Sequence, residues 1–284
     1  MKGSDLISYA KNTWCPGCGN FVIQHALKDV IVQRDRDGQP PEQVVLVAGI
    51  GQHAKIFDFM NLNGFYSLHG RTIPVAAGIR LANPVLKVLC IAGDGDCYAE
   101  GLEHLIFAAK RNLDITVIVS DNRVYGLTTG QFTPTSVYGF RGRSTPDGEK
   151  EMPLNPLLLV LSAGATFIAR GYTGRREQLK DLIYRAMDHR GFSLVEVLQI
   201  CATYNDLTEY YNERVYTWDE DNVTDFKTAC TRAREWDYNN DGRIGLGILY
   251  RQEKATFEEG YPVPEKLLQA ERDEAIRKFL EQRS

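Results

Sequence analysis

Apolar and polar positions along this chain follow two alternating periods. Short unbroken apolar runs, the mark of strands buried on both faces, are separated by stretches with the i, i+3, i+4, i+7 spacing of amphipathic helices. Residues 44–48 form one apolar run, which ends at Gly49-Ile50-Gly51. Residues 85–92 form a second and stop at Gly93-Asp94-Gly95-Asp96, and the β-branched run 115–119 stops at Ser120-Asp121-Asn122. Between the last two, Leu102, Leu105, Ile106 and Ala109 share one helical face. Further helices are predicted at 21–32 and, in a small-residue version that can pack closely on a sheet, at 74–81. Residues 157–163, 167–170, 178–189 and 192–199 continue the alternation of helix and strand. Such a pattern predicts an α/β fold, with a mostly parallel sheet and helices on both faces.

The connections carry their own signals. Asp37-Gly38 and Pro40-Pro41 mark a loop, and residues 130–156, polar and rich in Gly and Pro, are long enough to predict a loop over an active site. From Asn205 onward the chain is charged and aromatic, with a helix expected near 224–236, a strand at 245–250 and a last amphipathic helix from Pro264. The expected division is therefore a domain of residues 1–204 and a C-terminal extension, 205–284, packed on that domain or on a partner. Asp237-x-Asn239-x-Asp241-Gly242 copies the first half of a calcium loop, but its twelfth position is Ile248 where a bidentate Glu is required. A turn ahead of the next strand is the better expectation.

The unit from 85 to 122 is strand–helix–strand. A right-handed crossover puts both strand ends on one edge of a parallel sheet, the edge at which open α/β sheets bind ligands. Asp94 and Asn122 can then meet although 27 residues lie between them. A carboxylate and an amide carbonyl are hard oxygen donors suited to Mg²⁺, which completes its octahedron with phosphate oxygens and water. The backbone carbonyl of Val124 is a third candidate ligand, and Gly93 and Gly95 allow the backbone to turn sharply and approach a phosphate.

Composition narrows the field. Of 284 residues, 25% are charged and 43% hydrophobic, which is ordinary for a globular chain with a sizeable core. A formal net charge of −4 gives no basic footprint for nucleic acid. No apolar run has the length of a membrane span, and the first residues lack the regions of a signal peptide. Neither a nucleic-acid nor a membrane partner is expected, and the expected location is cytoplasmic. Six cysteines, Cys15, Cys18, Cys90, Cys97, Cys201 and Cys230, then read as metal or redox groups plus buried thiols. Cys15-Pro16-Gly17-Cys18 can point two thiolates at one metal; a redox pair or half of a zinc site are the alternatives, although a zinc site wants a second such pair. Cys90 lies inside a strand run and reads as a core thiol, and Cys230, in a charged helical stretch, reads as inert; Cys97 is only a weak candidate ligand.

Gly93-Asp94-Gly95, a spacer of 26 residues and Asn122 resemble the pattern of enzymes that bind thiamine diphosphate (TPP). Tyr125-Gly126-Leu127-Thr128-Thr129-Gly130-Gln131 further resembles the β subunit of 2-oxoacid:ferredoxin oxidoreductases. The resemblance implies the thiamin-diphosphate-binding fold, with Gly51, His69, Gly93, Asp94, Gly95, Asp96, Tyr125, Leu127 and Thr128 around the cofactor and Asp94, Asn122 and Val124 on Mg²⁺. It also implies a [4Fe–4S] cluster, with ligands Cys15, Cys18 and Cys201. Where the family has a third cysteine, after the Gly-Ile-Gly turn, this chain has Gln52; His53 beside it offers an imidazole nitrogen as a fourth ligand, or is a polar residue touching the diphosphate.

The implied activity is oxidative decarboxylation of a 2-oxoacid to acyl-CoA and CO₂, with electrons passed to ferredoxin. The Glu that activates TPP is implied to sit on a separate α subunit, so no resident catalytic residue is expected and the chain should work only as a heteromer. A Lys often follows Gly-Leu-Thr in relatives, where this chain has Thr129. The run from Gln131 to Ser136 looks more like the 2-oxoglutarate or broad-range branch than the pyruvate branch, so 2-oxoglutarate is the expected substrate and pyruvate the alternative. A cluster-free TPP-dependent decarboxylase subunit is the alternative, favoured by Gln52.

Overall fold

The computed structural model describes residues 1–261 and 269–282. The chain runs through α1 (Asn20–Arg36), β1 (Val44–Ala48), the short α2 (Ile56–Phe59), β2 (Asn63–Tyr66), α3 (Thr72–Ala82), β3 (Lys87–Gly93), α4 (Leu102–Arg111) and β4 (Ile115–Asp121). After a long irregular stretch come α5 (Pro156–Ala163), β5 (Phe167–Tyr172), α6 (Arg176–Asp188), β6 (Ser193–Leu198), α7 (Thr208–Arg214), β7 (Val215–Thr217), α8 (Phe226–Glu235), β8 (Ile244–Arg251) and α9 (Gln269–Glu281). The strands lie in one sheet ordered β2-β1-β3-β4-β6-β5-β8-β7. The first six are parallel, β8 runs antiparallel to β5, and β7 is parallel to β8.

Strand alternation divides the core between the two faces. Val88, Cys90, Ala92, Val117 and Val119 pack with Ala76, Leu105, Ala109 and Val160 from α3, α4 and α5. Leu89, Ile91, Ile118, Val195 and Val197 pack with Ile23, Leu27, Leu182 and Ile183 from α1 and α6. The chain leaves β1 for β2 on one side and for β3 on the other, which opens a crevice at their carboxyl ends. Gly49, Asp94, Asn122 and the Gln199-Ile200-Cys201 segment all follow strands that end at this edge.

Several elements differ from expectation. The helix after Gly95 opens with a π turn, Asp96–Glu100, before α4 begins. Residues 122–155 contain no helix or strand, as the loop reading anticipated. The tail residues after 204 add α7 and two strands to the sheet; β7, three residues without alternation, left no periodic signal. α8 begins where Asp225 accepts the Thr228 N–H at 2.7 Å. The expected start of the last helix at Pro264 lies outside the described residues. Asp237 spends one carboxylate oxygen on the N–H groups of Asn239 and Asn240, each 3.1 Å away, which is the turn expected in place of a calcium loop. Among the described residues no helix is long and apolar enough to cross a membrane.

A buried polar network fastens the tail to the sheet. Arg170 of β5 donates to Glu196 of β6 at 2.8 Å and to the Tyr238 hydroxyl at 2.9 Å, and that hydroxyl donates to Glu196 at 2.6 Å. Arg170 and Glu196 are wholly buried, and Trp236 stacks within 5.1 Å of the guanidinium. Such pairs owe little net stability to their charges, but removal of one partner strands the other. Glu196→Leu should therefore cost about 3–5 kcal/mol, and Arg170→Met/Glu196→Leu clearly less, as read by denaturant unfolding. By the amino ends of β5 and β6, burial and then Arg251 depress the His189 imidazole from 6.5 to about 4, so that the folded chain holds it neutral. Its contribution is present above pH 6.5 and is lost as pH falls toward 4. The melting temperature of wild type should fall more steeply over that window than that of His189→Gln.

Candidate functional site

The crevice is organised by Asp96, the first residue of the π turn. Its Oδ1 accepts the backbone N–H of Gly70 at 2.8 Å and of Ile50 at 3.3 Å, and lies 3.0 Å from His69 Nδ1. Its Oδ2 lies 3.6 Å from His53 Nε2. Burial pushes this carboxyl up, but the hydrogen bond and charge of His53, with the two N–H groups, outweigh it and hold Asp96 below its ordinary value. One side chain thus ties the turn after β1, the His69-Gly70-Arg71 turn after β2 and the helix start after β3. The approach is so close that a Cβ on Gly49 would lie 1.8 Å from Asp96 Oδ2, and one on Gly95 2.1 Å from the Tyr125 ring. A side chain at either place would displace Asp96 or Tyr125 from its present position.

Around this anchor the structure brings Gly51, His53, His69, Gly93, Asp94, Gly95, Asp96, Asn122, Val124, Tyr125, Leu127 and Thr128 into one cleft. The Tyr125 hydroxyl donates to the Glu100 carboxylate at 3.1 Å; burial and that carboxylate push the phenol up. Asn122 Oδ1 accepts the Val124 N–H at 3.0 Å and so closes a turn with Arg123 in left-handed backbone, φ 61. Arg123 is held there by the carbonyls of Thr135, at 2.6 Å, and Tyr238.

Beneath the cleft two carboxylates share one hydroxyl. Thr135 Oγ1 lies 3.0 Å from Asp94 Oδ2 and 2.9 Å from Asp121 Oδ1. A hydroxyl has one proton, so it serves one carboxylate at a time. Asp121 Oδ2 is buried without a hydrogen-bond partner among the described residues. Burial raises Asp94 despite the Thr133 and Thr135 hydroxyls, and burial with repulsion from Asp94 and Glu196 raises Asp121 well above the carboxylate range. Two buried carboxyl groups that hold their protons more readily than exposed ones thus sit beside hard oxygen donors, with Arg123 only partly offsetting the rise at Asp121. That chemistry fits Mg²⁺. Among the described residues no three His, Cys, Asp or Glu side chains are arranged to hold a metal, so a cation bound through Asp94, Asn122 and a backbone carbonyl would need ligand oxygens to fill its shell.

Cys15, Cys18 and Cys201 line a second pocket, with Trp14, Gln52, Thr129 and Tyr204. The C-x₂-C turn is stitched to the segment after β6: the Gly19 N–H donates to the Ile200 carbonyl at 3.0 Å, and Gln199 Nε2 donates to Cys18 Sγ at 3.5 Å. Burial pushes the Cys18 thiol up; the Asn20 N–H opposes this, and the neighbouring Cys201 and Cys15 add to the rise. The three thiols thus share one pocket, although among the described residues they are not arranged as a metal-holding group. His53 does not line this pocket: its ring is packed in the diphosphate cleft against Asp96, and Gln52 faces the cysteines. Cys90 and Cys97 are buried core thiols, both pushed up by burial, and Cys230 packs at the edge of the same core.

Residues 46–197 match the family described as the thiamine pyrophosphate enzyme C-terminal TPP-binding domain, and residues 201–266 match the family of C-terminal segments of the pyruvate ferredoxin oxidoreductase β chain. The chain is 42% identical over 265 residues to a 2-oxoacid:ferredoxin oxidoreductase subunit β of Saccharolobus solfataricus, covering 87% of this chain and 85% of that one. It belongs to the β subunits of 2-oxoacid:ferredoxin oxidoreductases. It is also 40% identical over 206 residues to the 2-oxoglutarate oxidoreductase subunit KorB of Mycobacterium tuberculosis, covering 72% of this chain and 54% of that one. A solved structure, 2-oxoglutarate:ferredoxin oxidoreductase from Magnetococcus marinus with 2-oxoglutarate, coenzyme A and succinyl-CoA bound, superposes with a TM-score of 0.86 at 33% identity, covering 92% of this chain and 88% of that one.

Sequence reasoning missed the part that Asp121, Thr135 and Asn20 play in this β subunit. Asp121 ends β4 and is fully buried; Thr135 reaches it from the long loop, and Asn20 accepts the Ser120 hydroxyl at 3.0 Å. The run Ser120-Asp121-Asn122 was a signal for the first, since alternation turns neighbours to opposite sides; nothing local announces the other two. In the assembled enzyme, Asp94→Asn should weaken Mg²⁺-dependent TPP binding about 100-fold and Thr135→Val about tenfold, as outer partners of metal ligands do. Calorimetric titration of TPP with and without Mg²⁺ reads both.

Proposed function

We propose that this β subunit binds TPP and Mg²⁺ and, together with an α subunit, oxidatively decarboxylates 2-oxoglutarate in preference to pyruvate, giving the acyl-CoA and CO₂ and delivering electrons to ferredoxin. The observation that carries the reading is a shared wall: Gln52, Asn122, Gly126 and Leu127 line both the diphosphate cleft and the cysteine pocket. Asp94, Asn122 and the Val124 carbonyl would hold Mg²⁺. The diphosphate would lie on Gly51, Gly93 and Gly95, with His69 at its side, its Nδ1 3.0 Å from Asp96 Oδ1. TPP supplies the nucleophilic carbon and electron sink that decarboxylation needs. Cys15, Cys18 and Cys201 would hold a [4Fe–4S] cluster with Gln52 at the fourth position; the cluster supplies one-electron transfer. Residues 1–204 carry all of these groups, and the tail clamps the Asn122 turn through Tyr238 and Arg123.

The 2-oxoglutarate preference is supported by the KorB relative, by the ligands of the Magnetococcus structure and by the sequence from Gln131 to Ser136. The need for an α subunit is supported by the acids near the cleft: Asp94 and Asp96 are buried in its wall and Glu100 accepts the Tyr125 hydroxyl, so none stands free to activate TPP.

The test is co-expression with the α subunit and anaerobic purification, followed by CoA-dependent reduction of a viologen dye. Turnover should require both subunits and be faster in kcat/KM with 2-oxoglutarate than with pyruvate. The complex should contain about four iron and four sulfide ions per αβ unit, lost in Cys201→Ser while TPP binding persists. Turnover by the β subunit alone would refute the division of labour, and an active complex without iron would establish the cluster-free decarboxylase instead.

A further inference from the structure

Gln199 lines the cysteine pocket and is only 1% exposed, an uncommon place for an amide. Its backbone N–H donates to the Asp121 carbonyl at 2.8 Å, which locks the residue to the carboxyl end of β4. Its side chain lies against Gly19, where a Cβ would come within 2.9 Å of Gln199 Cγ and 3.1 Å of Nε2. The glycine that follows Cys18 thus leaves room for this amide.

The orientation of the amide is fixed by its neighbours. One terminal atom stands 2.6 Å from the Ile200 carbonyl oxygen, which can only accept, so that atom is the nitrogen. The same nitrogen gives its second proton to Cys18 Sγ, 3.5 Å away. The Asn20 backbone N–H and side chain bond the same sulfur, while Asn20 Oδ1 is taken by the Ser120 hydroxyl. The far end of Gln199 gains nothing: Oε1 is buried without a hydrogen-bond partner among the described residues. A buried amide left half-satisfied costs stability, and packing alone does not account for it. Donors that converge on a sulfur suit a thiolate more than a thiol, because a hydrogen bond to a charged acceptor is the stronger. Cys18 is set apart in this from Cys15, which is exposed.

We infer that Gln199, through its N–H···S bond to Cys18, raises the reduction potential of the iron–sulfur cluster proposed for this pocket; the inference rests on the functional reading above. Reduction adds one electron, and so one negative charge, to a centre that shares its charge with the ligand sulfurs. That electron comes from the decarboxylated substrate in turnover and from dithionite in a titration. An N–H donor on a ligand sulfur stabilises the more negative state and shifts the equilibrium toward the reduced form. Gln199 is a positioning residue, acting through Cys18, and takes no part in the chemistry at the 2-oxo group.

The test is a potentiometric titration of the anaerobic αβ complex with dithionite and mediators, followed by EPR of the reduced cluster. Gln199→Met, close in length and volume but without an N–H to give, should shift the one-electron equilibrium about fivefold toward the oxidised form, about 40 mV lower in potential. Iron content should match wild type, and the melting temperature should hold, because the Ile200 carbonyl keeps the Gly19 N–H. Gln199→Glu, which keeps the shape and also lacks the N–H donor, should lower the potential at least as far. In D₂O the reduced wild-type cluster should show an exchangeable deuteron coupling that Gln199→Met has lost. A shift below twofold, about 20 mV, in both variants would overturn the inference. Loss of iron from both would overturn it too, since Gln199 would then hold the cluster and not tune it. A wild-type complex without iron would instead defeat the functional reading.

Discussion

The site depends on one buried carboxylate. Asp96 gathers the backbone N–H groups of Ile50 and Gly70 and the rings of His53 and His69 at a single point, and by doing so fixes three turns that follow three different strands. Parallel pairing brings those strand ends to one edge, but it does not decide how closely they converge. Asp96 does, and the missing Cβ at Gly49 makes the convergence sterically allowed. The glycine turns are spacers cut to fit around this side chain as much as phosphate seats.

A second constraint acts from below. Asp94 and Asp121 face the same Thr135 hydroxyl, and Asp121 is further crowded by Glu196, whose own charge is met by Arg170. Arg123 and Arg170 lie among Trp236 and Tyr238, so the C-terminal segment contributes the aromatic walls between which two buried cations are held. The tail is thereby tied to the Asn122 turn. Buried carboxyls of this kind hold their protons more readily than exposed ones, and a nearby cation would favour their ionised form.

The cysteine pocket and the diphosphate cleft are adjacent because their strands are. β4 delivers Asn122 and its neighbour β6 delivers Cys201, while the C-x₂-C turn reaches the same place from the amino terminus of α1. Gln52 forms part of the wall between them, with its carbonyl fixed by the Trp14 indole at 2.7 Å. The residue that departs most from the family pattern thus stands at the boundary between the two pockets.

Local pattern by itself determined the parallel α/β frame, the strand ends bearing Gly49-Ile50-Gly51, Asp94, Asn122 and Cys201, and the long loop after Asn122. Those features depend on periodicity, turn residues and the handedness of crossovers, all of which act over short stretches of chain. Tertiary structure decided what those rules cannot reach. His53 turned to Asp96 while its neighbour Gln52 took the cysteine pocket, because a one-residue difference in a turn chooses the side to which a ring is packed. Thr135 found Asp94 across 41 positions and Arg143 found Thr129 across 14, through a loop with no period to read. The weak strand β7 and the tail's place in the sheet likewise came from pairing with an edge already formed. Partners of that kind are selected by burial and hydrogen-bond satisfaction in the folded chain, and neither quantity exists until distant segments meet.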